Sequence, residues 1–245
     1  MFPLRDDNPR HGPARITWTV MLLAIAAFLV QLGAAGPGAA DALVRGAAFV
    51  PRAFFADPVG QAATLATSAF LHGSPLHLIS NMFFLFVFGD NVEDRMGHAR
   101  FAAFYLAGAV VAALAHALVR PDSPVPMVGA SGAISAILGA YVLLFPRQRV
   151  QTFVPPLFLP WLMLRVLLPL PRFFLWWLPA WLYIGYWAFL NLLEAGGTLG
   201  AGPVADTGVA WWAHVGGFAF GLAMVRTFTR PPGGDGGPQA GSISP

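Results

Sequence analysis

The sequence predicts an all-α membrane protein, a bundle of six transmembrane helices with a membrane-associated first outer loop, on the strength of three observations. Hydrophobic residues make up 57% of the 245 positions and charged residues only 10%, far below the roughly one quarter usual in soluble domains. The charges are clustered, leaving uncharged runs at 16–40, 58–89, 101–119, 123–146, 173–193 and 207–225. Each run can hold the about 20 residues that one crossing needs. All 14 basic residues are arginine, and Arg5, Arg10 and Arg15 precede the first run, which places the N-terminus in the cytoplasm by the positive-inside rule. Alternation from there puts eleven arginines inside and only Arg45, Arg52 and Arg120 outside.

The same composition excludes several chemistries. The net charge of +3 follows from these topology signals, so a polynucleotide partner is not expected. Cysteine is absent, which removes disulfides, thiolate zinc sites and cysteine nucleophiles. Covalent chemistry must then use oxygen or nitrogen.

In order, residues 1–15 read as a cytoplasmic segment, 16–228 as the membrane domain and 229–245 as a disordered cytoplasmic tail. The first run, with arginines before it and Ala34, Ala35 and Ala39 after it, reads as a span, with a cleaved signal peptide as the alternative. Between Gly36 and Gly73 the chain carries Phe49, Phe54, Phe55 and Phe70. That is too apolar for a solvated loop, so the connection is expected to lie partly in the membrane interface or to cap the bundle by packing alone. Ser74-Pro75 marks a helix start, serine capping and proline occupying the first turn. The stretch 151–172, with Pro155, Pro156, Pro160, Pro169, Pro171 and Arg165, reads as an interfacial cytoplasmic excursion. The tail after Arg230 is rich in glycine and proline and cannot build a core.

Polar side chains are costly in hydrocarbon and point to function. They gather at the outer ends of three runs: His72, His77 and Asn81 in the second, Ser131 in the fourth, His214 in the sixth. At 1.5 Å per residue, Ser131 lies roughly 22 Å above the cytoplasmic end of its helix and His214 roughly 18 Å above its own. Both depths fall in the outer half of a core about 30 Å thick. Gly129 and Gly132 leave Ser131 unshielded, as a nucleophile requires, although small residues also serve merely to let helices touch. An imidazole is the usual base for such a hydroxyl, and neither helix carries an acid at that depth, so the expectation is a Ser131–His214 dyad. Gly217 and Gly221, with Gly216 beside them, clear the face of the sixth helix for the fourth, and Gly139 is the matching position. His77 and Asn81, four apart, share a face. With the Ser131 N–H they can form an oxyanion hole; the alternative is a polar clamp, a role better suited to His72. His116 has no visible partner and reads as a core histidine. His72, His77 and His214 are an alternative zinc-binding set, but that reading leaves Ser131 without purpose. No cofactor or metal is expected.

These motifs resemble the rhomboid family of intramembrane serine proteases, in its bacterial type, over residues 16–228. The likeness is carried by Gly129-Ala130-Ser131-Gly132, by His72 with His77-Leu78-Ile79-Ser80-Asn81, by Ala213-His214-Val215-Gly216-Gly217 running on to Gly221, and by Gly89-Asp90-Asn91-Val92-Glu93-Asp94. The resemblance implies Ser131 as nucleophile and His214 as base, with His77, Asn81 and the Ser131 backbone as the oxyanion hole. It implies cleavage of transmembrane protein substrates near the outer face, after a small residue, by a multi-pass protein of the bacterial inner membrane. It also suggests the aromatic fifth run, with Trp176, Trp177, Trp181, Tyr183, Tyr186 and Trp187, as a lateral gate, although an ordinary aromatic belt reads the same. Two departures stand out. Ser135 replaces the aromatic residue that some members place one turn after the nucleophile, and the stretch 151–172 is longer and more apolar than the family connection. The rival readings are a non-catalytic rhomboid-like protein that binds transmembrane clients and a small transporter. A transporter would carry polar residues through the full depth or paired half-helices at the midplane.

Overall fold

The computed structural model describes residues 1–9, 12–34, 38–153, 175–199 and 209–229. Nearly all of the stretch 151–172, including Arg165 and its prolines, lies outside the described residues, as does the tail beyond Thr229.

Among the described residues the chain is mostly helical. The first apolar run forms α1 (Arg15–Gly33), and the outer connection forms four short helices, α2 (Ala39–Ala47), α3 (Pro51–Ala56), α4 (Pro58–Gln61) and α5 (Thr64–Thr67). Next come α6 (Pro75–Phe84), a π-helical turn over Leu85–Gly89, α7 (Asp90–Met96) and α8 (His98–Val119). The site-bearing helices follow as α9 (Ser131–Leu144), α10 (Ala180–Gly197) and α11 (Trp211–Phe228). By length and composition, α1 and α8 can each cross a membrane, and a third span results if Pro58–Phe70 and Pro75–Met96, bent by 80°, are taken together.

The core centres on α9, whose nine consecutive residues from Ala133 to Tyr141 are all buried. A helix apolar on every side belongs in the middle of a bundle. Its approach to α11 is backbone to backbone. A Cβ added at Gly217 would strike the Gly132 carbonyl oxygen, one at Gly221 the Ala136 carbonyl, and one at Gly139 the Phe218 carbonyl. Gly216 turns instead to α8, where a Cβ would meet Ala115. Small residues thus set the helix spacing, as the glycine pattern predicted.

Glu93 ties α7 to the start of α1. Its buried carboxylate accepts hydrogen bonds from the Ile16 and Thr17 N–H groups, both at 2.8 Å, and from Thr17 Oγ1 at 2.7 Å, while His98 Nδ1 lies 2.6 Å away. This satisfies first-turn donors that α1 cannot pair internally. The outer connection docks through Phe49, buried against Ala113 and Ala117 of α8. Its N–H and carbonyl both bond Met127, at 3.2 and 2.7 Å.

The all-α expectation needs correction, because β1 (Phe2–Asp6), β2 (Arg149–Phe153) and β3 (Leu175–Pro179) form an antiparallel sheet in the order β1-β2-β3. In β2, Val150 and Thr152 are buried while Arg149 and Phe153 are exposed, the period-2 pattern of a half-buried strand. Pro3 sits on the edge strand β1, where a missing N–H is tolerated. The helix of the fifth apolar run, α10, consequently begins at Ala180, and Trp176 and Trp177, expected on it, belong to β3. The sheet lies against the end of α9 remote from Ser131, where Tyr141 donates to Asp6 Oδ2 at 2.5 Å.

Candidate active site

Local sequence positions each polar group. Ser74 is the N-cap of α6, its hydroxyl accepting from the His77 N–H at 3.1 Å, and Pro75 opens the helix. His77 and Asn81 then project from one face of α6. Gly129, at φ +122°, takes a left-handed turn that side chains rarely adopt, and α9 begins two residues later at Ser131 itself. The Ser131 N–H is therefore one of the first-turn donors with no partner inside the helix. His214 falls in the first turn of α11.

These elements bring His214 Nε2 to 2.8 Å from Ser131 Oγ. His77 and Asn81 both pack close to Gly129: a Cβ there would lie 2.7 Å from His77 Cε1, 2.8 Å from His77 Nε2 and 3.5 Å from Asn81 Nδ2. Any side chain at position 129 would collide with the His77 ring. Asn81 is buried, and its Nδ2 has no hydrogen-bond partner among the described residues. A cavity of about 580 Å³ joins these groups, lined also by Leu76, Ser80 and Phe84 of α6 and Trp187 of α10.

The supporting residues divide. Gly132 gives room to Ala112 of α8 as well as to α11. His72 is buried with its ring 5.2 Å from that of His77, and its main chain is clamped by Gln31 of α1, which accepts from the His72 N–H at 3.1 Å and donates to its carbonyl at 3.2 Å. These are main-chain bonds; the His72 ring itself places Nδ1 3.3 Å from the Phe70 carbonyl oxygen. His116 is buried on α8. Among the described residues no three His, Cys, Asp or Glu side chains are grouped to hold a metal ion. The triplet of His72, His77 and His214 is not assembled as one.

One polar contact was missed from the sequence. Asn191 of α10 places Oδ1 2.7 Å from His214 Nδ1, on the side away from Ser131. The signal was present, since Asn191 is the sole amide in the apolar run 173–193, and a polar group in such a run calls for explanation. Ser135, at the position where an aromatic residue was expected, donates to the Ser131 carbonyl at 2.6 Å. The aromatic neighbours of His214 come from elsewhere: Trp187 at 6.0 Å and Trp211 at 5.8 Å between ring centroids.

The arrangement offers a hydroxyl beside an imidazole, and two side-chain nitrogens and a helix N-terminus lining the same cavity. That is the equipment for attack on a carbonyl with a place for the resulting oxyanion.

Residues 59–231 match the family model of the Rhomboid domain. The chain is 36% identical over 114 residues to RHOMBOID-like protein 12, mitochondrial, of Arabidopsis thaliana, covering 39% of this chain and 34% of that protein. It is 33% identical over 104 residues to Rhomboid protein 1, mitochondrial, of Saccharomyces cerevisiae, covering 41% and 30%. Against the human presenilin-associated rhomboid-like protein, mitochondrial, identity is 31% over 93 residues, covering 37% and 24%. The alignments thus span about a third or less of these curated relatives. Their names place them in mitochondria, whereas the sequence motifs suggested a bacterial membrane.

Proposed function

Since the chain belongs to the rhomboid family, we propose that it is an intramembrane serine endopeptidase that cleaves transmembrane protein substrates near the outer membrane face. The 2.8 Å contact between Ser131 Oγ and His214 Nε2 carries this reading. Ser131 attacks the scissile carbonyl carbon and its proton passes to His214 Nε2. The carbonyl oxygen takes the electron pair beside His77, Asn81 and the Ser131 N–H. His214 then returns the proton to the leaving amine, and water hydrolyses the acyl-enzyme by the same steps in reverse roles. His72, Gly129, Gly132, Gly217 and Gly221 support these groups.

The six-span bundle belongs to the same proposal, with the N-terminus in the cytoplasm and the chain multi-pass in a bacterial inner membrane. α9 has only 14 residues, about 21 Å of helix, which suits a helix that begins inside the outer half of the bilayer rather than at its surface. The cavity walls from α6 and α10 support entry of substrate between those helices, with the outer connection resting in the interface.

The test uses purified protein, a fluorophosphonate probe and a membrane-spanning reporter. Wild type is expected to label at Ser131 and to cleave the reporter, and Ser131→Ala is expected to lose both while folding normally. Cleavage undiminished in Ser131→Ala overturns the mechanism. Absence of labelling with retained capture of transmembrane segments replaces it with the client-binding reading.

A further inference from the structure

We propose that Asn191 is the positioning residue of this site: its side-chain oxygen holds His214 as the Nδ1–H tautomer and thereby aims a bare Nε2 at Ser131. The inference rests on the reading of Ser131 as nucleophile and His214 as base.

The argument starts at the backbone of α10. One end of the Asn191 amide lies 2.8 Å from the main-chain carbonyl oxygen of Trp187, one turn earlier. A carbonyl only accepts, so that end is the NH₂. The other end is then the oxygen, and it faces His214 Nδ1 at 2.7 Å. An amide oxygen carries no hydrogen, so Nδ1 must supply it. A neutral imidazole has a single N–H, which leaves Nε2 with its lone pair directed at Ser131 Oγ 2.8 Å away. Three successive contacts allow one assignment of donors and acceptors, and it is the one that general-base catalysis needs.

Among the described residues, the hydroxyl of Ser135 is committed to the Ser131 carbonyl, and the rings of Trp187 and Trp211 lie beside the His214 ring at 6.0 and 5.8 Å between centroids. Asn191 is 6% exposed, so little water competes for its oxygen. When Ser131 attacks, the Oγ–carbon bond forms and the hydroxyl proton moves to Nε2. The imidazolium then donates from both nitrogens, and Nδ1–H remains on Asn191. The orienting group is a neutral amide where other serine proteases use a carboxylate.

The experiment is fluorophosphonate labelling of the full chain, in which Ser131 Oγ bonds to phosphorus, fluoride leaves and the proton goes to His214. Asn191→Leu keeps a similar volume and removes the acceptor, and is expected to slow labelling at least about tenfold, as misalignment of a general base should. Asn191→Asp keeps an acceptor oxygen and is expected to restore labelling relative to Asn191→Leu. Nitrogen-15 NMR of histidine-labelled protein, with His214→Ala identifying the signal, is expected to show the Nδ1–H tautomer in wild type and its loss in Asn191→Leu. Wild-type labelling by Asn191→Leu, or an Nε2–H tautomer in wild type, overturns the inference. So does slowed labelling with an unchanged tautomer. If Asn191→Leu does not fold, the wild-type tautomer and the Asn191→Asp rate decide. If wild type never labels, the nucleophile and base reading fails, while the tautomer still reports on Asn191.

Discussion

Asn81 shows how a residue can be costly at rest and useful in action. Its Nδ2 is buried with no hydrogen-bond partner among the described residues, a condition that typically costs about 1–3 kcal/mol. On the proposed mechanism this donor finds its partner when negative charge develops on the scissile carbonyl oxygen. Asn81→Ala is therefore expected to lower the rate of reporter cleavage about 10²-fold, the usual loss of one oxyanion donor. The midpoint of thermal unfolding should fall little, because no resting hydrogen bond of that nitrogen is lost. A large fall in stability with unchanged cleavage would make Asn81 a structural clamp.

At the scale of elements, the helices differ in how much room they leave. The seam between α9 and α11 has none, since a Cβ at Gly221 would enter the Ala136 carbonyl. Gly221→Val should cost about 1–3 kcal/mol or more through overpacking and displace His214 from Ser131, lowering both the unfolding midpoint and probe labelling. On α10, by contrast, a Cβ at Gly185 meets nothing within 4 Å. Gly185→Ala should leave labelling intact and stabilise by about 0.5–1 kcal/mol, the ordinary gain of alanine over glycine in a helix. The strand β1 adds a dependence on pH. Burial raises the Asp6 carboxyl to about 7, helped by the nearby charges of Asp90 and Asp7 and opposed by its bond from Tyr141. A carboxyl raised in the fold is most favourable while protonated, so its contribution is full below about 4 and is lost as pH rises through about 7. Thermal midpoints measured at pH 5 and pH 8 should differ more for wild type than for Asp6→Asn, which keeps an oxygen for Tyr141 and has no charge to bury.

For the whole molecule, what could be read from the sequence depended on whether the signal was local. Ser131, His77, Asn81 and His214 stood out because polar side chains in apolar runs are conspicuous, and a fixed rise per residue converts their positions into depths. The start of α6 was readable from Ser74-Pro75, and the α9–α11 seam from the spacing of Gly217 and Gly221. Asn191 lies on a helix that carries neither Ser131 nor His214, so no spacing within one element links it to them, although it is the sole amide in its run. The sheet was invisible for a stronger reason: Phe2 pairs with Phe153, and no local pattern announces a partner so distant in the chain. Trp176 and Trp177 merged with the aromatic residues of α10 for want of any charge at the boundary. The sheet has one more consequence. Because Phe153 and Leu175 face each other across a single rung of the β2–β3 ladder and Phe153 also pairs with Phe2, the ends of all three strands meet there. Phe2 rests edge-on against Phe83 and Phe84 of α6, so that rung is a clasp on the helix that carries His77 and Asn81.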